Sequence, residues 1–88
     1  MMNGLLITDI RIFPVTQDEN PKLKAFVTIV FNDTFLIRDI KIIEGSRGLF
    51  ISMPAKKARD NKYRDIAHPI SQEARDLLQE RIFEVYKG

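Results

Sequence analysis

The chemistry this 88-residue chain can offer is concentrated between Arg47 and His68. From Arg47 to Arg64 it carries six basic side chains, Arg47, Lys56, Lys57, Arg59, Lys62 and Arg64, against one acid, Asp60. Six against one is a local charge of +5, enough to attract phosphate groups. The same charges also serve merely to keep a small protein in solution. Tyr63 lies inside the run, and its ring can stack on an unpaired base, although a tyrosine in a short strand more commonly packs into a core.

Catalysis finds little to work with. The chain has one histidine, His68, and no cysteine, which excludes a thiol nucleophile, a thiolate metal site and a disulfide framework. It contains no Gly-rich phosphate loop, no His-Glu metal motif and no nucleophile elbow. Asp65 stands three residues before His68 and can in principle orient it as a base. A lone histidine beside a proline at a strand-to-helix junction is more often a hydrogen-bonded structural group. A metal would need further ligands that the scattered carboxylates do not supply at suitable spacing. The expectation is no catalytic residue, no metal, no cofactor and no small-molecule substrate.

With 44% hydrophobic and 30% charged residues, the chain reads as one globular domain over residues 1–88. A fold of this size buries only about 60–65% of the surface its unfolded chain exposes, so a homodimer is expected. No apolar run reaches the roughly 18 residues that span a membrane. Met1-Met2-Asn3-Gly4 lacks the basic n-region of a signal peptide, and a cytoplasmic location is the default expectation. The net charge of +2 hides an asymmetry: residues 1–44 carry five basic against six acidic side chains, and residues 45–88 carry nine against six.

Several elements must position the basic run. Leu5 to Phe13 sets Thr8, Ile10 and Ile12 against Asp9 and Arg11, the alternation of a half-buried strand stopped by Pro14. Thr16 to Pro21 is polar and reads as an exposed loop. Leu23 to Phe31 places Leu23, Ala25, Val27, Ile29 and Phe31 on one face, with a partly apolar opposite face, so both faces are expected to be covered. Asn32-Asp33 suits a tight hairpin, because both residues tolerate a left-handed backbone. Thr34 to Ile43 follows, with Leu36, Ile40 and Ile42 opposite Phe35, Ile37 and Ile43. Glu44 to Gly48 is a turn, and Leu49 to Met53 a short strand ended by Pro54. Residues 55–62 hold too few large apolar groups to pack and read as a mobile loop, before a fifth strand near Tyr63 to Ala67.

The last element is a helix. Pro69 disfavours helix at His68, Ser71 suits the N-cap, Glu73 the first turn and Lys87-Gly88 the end. Ala74, Leu77, Leu78, Ile82, Val85 and Tyr86 form one stripe, which leaves Phe83 pointing away as an exposed aromatic or a contact with another chain. The fold class that follows is α+β: an antiparallel sheet of about five strands with a C-terminal helix. If the basic loop lies beside the helix start, Arg75 and the first-turn amides join one anion-binding surface.

The string Gly48-Leu49-Phe50-Ile51-Ser52-Met53-Pro54-Ala55-Lys56-Lys57 and the later Tyr63-Arg64-Asp65-Ile66-Ala67-His68-Pro69-Ile70 closely resemble the bacterial SpoVG family, the septation regulators. The similarity extends to Ile7-Thr8-Asp9-Ile10-Arg11 and to Phe35 through Gly45, nearly the whole chain. The resemblance implies a dimeric cytoplasmic regulator that binds DNA and RNA and is linked to septation, sporulation and gene expression. It also implies recognition by the start of the C-terminal helix, here Ser71, Gln72 and Arg75. Glu73 and Asp76 depart from that pattern by placing negative charge beside Arg75, where it repels phosphate. The resemblance further implies an acidic tail in several relatives, so a chain ending at Gly88 is expected to leave its basic patch less masked. The expected nucleic-acid site is therefore Lys56, Lys57, Arg59, Lys62, Arg64, Ser71, Gln72 and Arg75. The alternative is a protein-interaction module without nucleic-acid binding, using a sheet edge or Phe83.

Overall fold

A computed structural model of the chain describes residues 4–15 and 21–87. The expected exposed loop at residues 16–20, the first three residues and Gly88 lie outside the described residues. Six strands and one helix follow in order: β1 (Ile7–Pro14), β2 (Leu23–Phe31), β3 (Phe35–Gly45), β4 (Gly48–Ser52), β5 (Ala55–Lys57), β6 (Tyr63–Asp65) and α1 (Gln72–Lys87). The first four form an antiparallel meander in the order β1-β2-β3-β4, and β5 and β6 pair as a separate antiparallel ribbon. The α+β class holds, with six strands in two sheets where about five in one sheet were expected.

β2 is regular from Ala25 to Phe31, after an irregularity at its start between Leu23 and Ala25. Ala25, Val27, Ile29 and Phe31 alternate onto one face and are buried, while Lys24, Phe26, Thr28 and Val30 on the other face are half-buried rather than sealed. Its hairpin to β3 turns through Asn32 and Asp33, at φ of 52° and 53°, and Thr34 N–H donates to the Phe31 carbonyl at 2.9 Å. Both central residues are left-handed, as the residue types predict for a turn that matches strand twist. Asn32 does more than turn the chain. Its Oδ1 accepts from Leu6 N–H at 2.7 Å, and its Nδ2 donates to the Gly4 carbonyl at 2.9 Å, which ties the N-terminal segment to the hairpin.

The flanking strands are irregular, and this corrects two expected facings. Val27 pairs with Ile40 and Ile29 with Ile37, so two steps along β2 match three along β3. The extra residue is a β-bulge in which Asp39 stands at φ 68°. The bulge brings Ile37 to the same side as buried Ile40 and Ile42 and leaves Leu36 half-exposed, where simple alternation had opposed Ile37 to Ile40. A second bulge between Ile7 and Asp9 puts Ile7, not Thr8, with Ile10 and Ile12 against the core. Thr8 turns outward, where its Oγ1 donates to the Val30 carbonyl and accepts from Asp33 N–H.

One core lies between α1 and one face of the meander: Ala25, Val27, Ile29, Phe31, Ile40, Ile42, Ile51, Met53, Leu78 and Ile82. The helix is rolled relative to the expected stripe. Leu78 and Ile82 are buried, Val85 is exposed, and Phe83 is half-buried against the core rather than pointing away. The cause is polar. Arg75 Nη2 donates to the Ile51 carbonyl at 3.1 Å, and Ile51 N–H donates to Gln79 Oε1 at 3.5 Å, which turns the Arg75–Gln79 side of the helix toward β4.

Candidate nucleic-acid interface

Residues 55–65 form a hairpin, which corrects the expected mobile loop at 55–62. β5 pairs with β6 through Ala55–Asp65, Lys56–Arg64 and Lys57–Tyr63. The ladder is held by backbone bonds, so it needs no apolar side chains of its own. Asn61 N–H donates to the Ala58 carbonyl at 3.0 Å and Ala58 N–H to the Lys62 carbonyl at 2.8 Å, with Asn61 at φ 65°. This is the three-residue hairpin loop, a turn followed by one left-handed residue. At the other end Ile66 N–H donates to the Pro54 carbonyl at 2.7 Å. The fifth strand therefore stops at Asp65 instead of running to Ala67.

The ribbon gathers the basic run. Lys56, Lys57, Arg59 and Arg64 line one open concavity of about 430 Å³, closed at its side by Ala58, Asp65 and Ile66. Lys62 sits at the loop end, outside this lining, its N–H donating to Asp60 Oδ1 at 3.1 Å. Arg64 is partly neutralised, because its Nη2 meets Asp60 Oδ2 at 2.7 Å. Among the described residues Lys56, Lys57, Arg59 and Lys62 have no ion-pair partner. Unpaired cations held on a hydrogen-bonded ladder are available to phosphate, at little ordering cost in the backbone.

The helix-start residues are engaged differently and do not line the concavity. Ser71 is the N-cap as its type predicts: Ala74 N–H donates to its Oγ at 3.1 Å. Gln72 Nε2 donates to Asp76 Oδ1 at 2.8 Å, and Arg75 is the half-buried residue bonded to Ile51. Glu73, Asp76, Glu80 and Glu84 are all exposed, at spacings of three, four and four residues, and so form an acidic stripe along the solvent face. The outward side of α1 thus repels phosphate over most of its length.

His68 Nδ1 donates to the Pro69 carbonyl at 3.0 Å, and Asp65 is not its partner. The ring borders an apolar cleft of about 590 Å³ between the β2–β3 hairpin and the segment leading into α1. Phe35, Ile66 and Ile70 on its walls are 61%, 68% and 95% exposed. This surface was not legible in the sequence, since isolated apolar residues in a connecting segment carry no periodic signal. Among the described residues no group of three or more His, Cys, Asp or Glu is arranged to hold a metal ion, and no helix is long and apolar enough to cross a membrane.

The family model described as SpoVG matches residues 5–88. The chain is 46% identical over 81 residues to a protein of Bdellovibrio bacteriovorus, covering 92% of this chain and 72% of the relative. It is 52% identical to one of Myxococcus xanthus, at 92% and 79% coverage, and 53% identical to one of Agathobacter rectalis, at 92% and 91%. All three bear the name "Putative septation protein SpoVG".

Proposed function

Because this chain belongs to the SpoVG family, we propose that it serves septation as a non-enzymatic regulator that binds DNA or RNA through the β5–β6 ribbon. The observation that carries the reading is the concavity lined by Lys56, Lys57, Arg59 and Arg64, of which only Arg64 has an ion-pair partner among the described residues. Lys62 extends the basic surface at the loop tip. Ser71, Gln72 and Arg75 contribute by building and docking the helix, Ser71 and Gln72 being exposed and Arg75 half-buried. Arg75 is held by Ile51, so its share in phosphate binding is secondary.

The protein acts in the cytoplasm as a homodimer, a state supported by its small core and by the uncovered apolar cleft around Phe35, Ile66 and Ile70. Two ribbons in one dimer turn weak phosphate contacts into useful affinity through effective concentration. The same cleft favours the second reading, contact with another protein of the division machinery. Fluorescence anisotropy with labelled duplex DNA, single-stranded DNA and RNA, each titrated across salt, decides between them. Saturable binding with steep salt dependence is expected. No binding to any of the three at low salt would reject the nucleic-acid reading in favour of the protein contact.

A further inference from the structure

Tyr63 stands 71% exposed in the middle of the basic ribbon, although burial of an aromatic ring is normally favourable. Neither its ring nor its hydroxyl has a hydrogen-bond or ring partner among the described residues. Its position is nevertheless fixed. The ladder pairs it with Lys57, the bond from Ala58 to Lys62 closes the ladder on one side, and the bond from Ile66 to Pro54 closes it on the other. A side chain with two torsions on an ordered backbone loses little freedom when something packs on it.

Resting on the reading that the ribbon binds nucleic acid, we propose that Tyr63 is a stacking platform for an unpaired base and that the preferred ligand is single-stranded. Side chains alternate along a strand, so Tyr63 and Lys57 project from one face of the ribbon and Lys56 and Arg64 from the other. Paired Cα atoms in an antiparallel ladder are about 5 Å apart, which sets the Lys57 ammonium within reach of the backbone of a nucleotide stacked on Tyr63. Lys57 also lines the basic concavity, so it is the cation shared between the face that carries the ring and the cluster. Every base has a π-face, and stacking of this kind tolerates sequence. In a duplex the faces are already stacked on neighbouring pairs, so the ring gains nothing there. The exposed ring, hydrogen-bonded backbone and flanking cation together distinguish Tyr63 from a residue left over at a surface.

The test compares the full chain and its variants on one single-stranded RNA, the matching single-stranded DNA and their duplex, each at several salt concentrations. Tyr63→Ala is expected to weaken single-strand binding roughly tenfold or more, with duplex affinity within about twofold and the salt slope unchanged, because every phosphate-binding cation is retained. Tyr63→Phe keeps the π-face and is expected to bind as the parent does. Tyr63→Trp gives a chain that otherwise has no tryptophan a single reporter, whose emission is expected to be quenched by single strand and not by duplex. Equal losses on duplex and single strand, no loss on either, or a change in association state on sedimentation of Tyr63→Ala would each overturn the proposal while leaving the ribbon a phosphate site. A parent protein that binds none of the three ligands overturns the underlying function as well, and so separates the two failures.

Discussion

Arg75 reaches across from the start of the helix to the Ile51 carbonyl, 3.1 Å away on the outer strand of the meander. Gln79, one turn further on, accepts from the Ile51 N–H at 3.5 Å. An edge strand presents unpaired polar groups that invite other chains, and here the helix that covers the core also occupies part of that edge.

Arg75 is therefore expected to matter more for stability than for phosphate binding. Arg75→Ala should lower stability by about 1–2 kcal/mol, the range for a charged donor removed from a half-buried carbonyl. In a domain of this size that is a fall in Tm of roughly 4–16 °C, read by circular dichroism. The salt dependence of nucleic-acid binding should remain as in the parent.

The ribbon should behave in the opposite way. Lys56→Ala, Lys57→Ala and Arg59→Ala combined should flatten the salt slope by about one unit for each phosphate that is no longer neutralised. The melting temperature should stay within about 2 °C, since exposed substitutions away from caps and cores rarely exceed about 0.5 kcal/mol. Binding unchanged by all three substitutions would reject the ribbon as the site.

Asp60 restrains the site it belongs to. Its Oδ2 neutralises Arg64, and its Oδ1 accepts from Lys62 N–H. Asp60→Asn keeps an oxygen for the loop bond while releasing Arg64, and should raise nucleic-acid affinity by roughly two- to tenfold, an effect that shrinks as salt is added. Anisotropy at two salt concentrations reads both parts of the prediction.

Phe83 and Ser71 report on the helix. Because Phe83 packs against the core, Phe83→Asp should destabilise the fold by on the order of 2 kcal/mol through the cost of a poorly solvated charge, rather than split a dimer in an otherwise intact protein. Ser71→Ala should cost about 0.5–2 kcal/mol by leaving the Ala74 N–H without its cap, and Ser71→Asp should restore most of it. Chemical denaturation combined with light scattering distinguishes the two effects at Phe83.

Sequence reasoning located the elements whose signals are local. Asn32-Asp33 announces a left-handed turn and Ser71 a cap, because each residue type solves a backbone problem at its own position. β5 escaped notice for a physical reason: Ala55-Lys56-Lys57 buries nothing, and its pairing rests on backbone bonds set by the turn at Ala58 to Lys62. Phe83 was misplaced because apolar spacing alone cannot reveal that Arg75 and Gln79 take up part of the inward face. The basic cluster was legible as composition, but its separation from the helix start is a product of three-dimensional arrangement.

The two bulges beside β2 carry a further consequence. From Ala25 to Phe31 alternation along β2 is unbroken, while β1 takes up one extra residue near Thr8 and β3 one at Asp39; β2 takes up an extra residue of its own only at its start, between Leu23 and Ala25. Over that stretch β2 holds the reading frame of the sheet, and its neighbours absorb the slips. Deleting Asp39 would close the bulge and leave Ile37 opposite Ile29, still facing the core, with two steps on each strand. Deleting Thr28 would exchange inside and outside along part of the strand at the middle of the fold, because β2 has no extra residue there to give up.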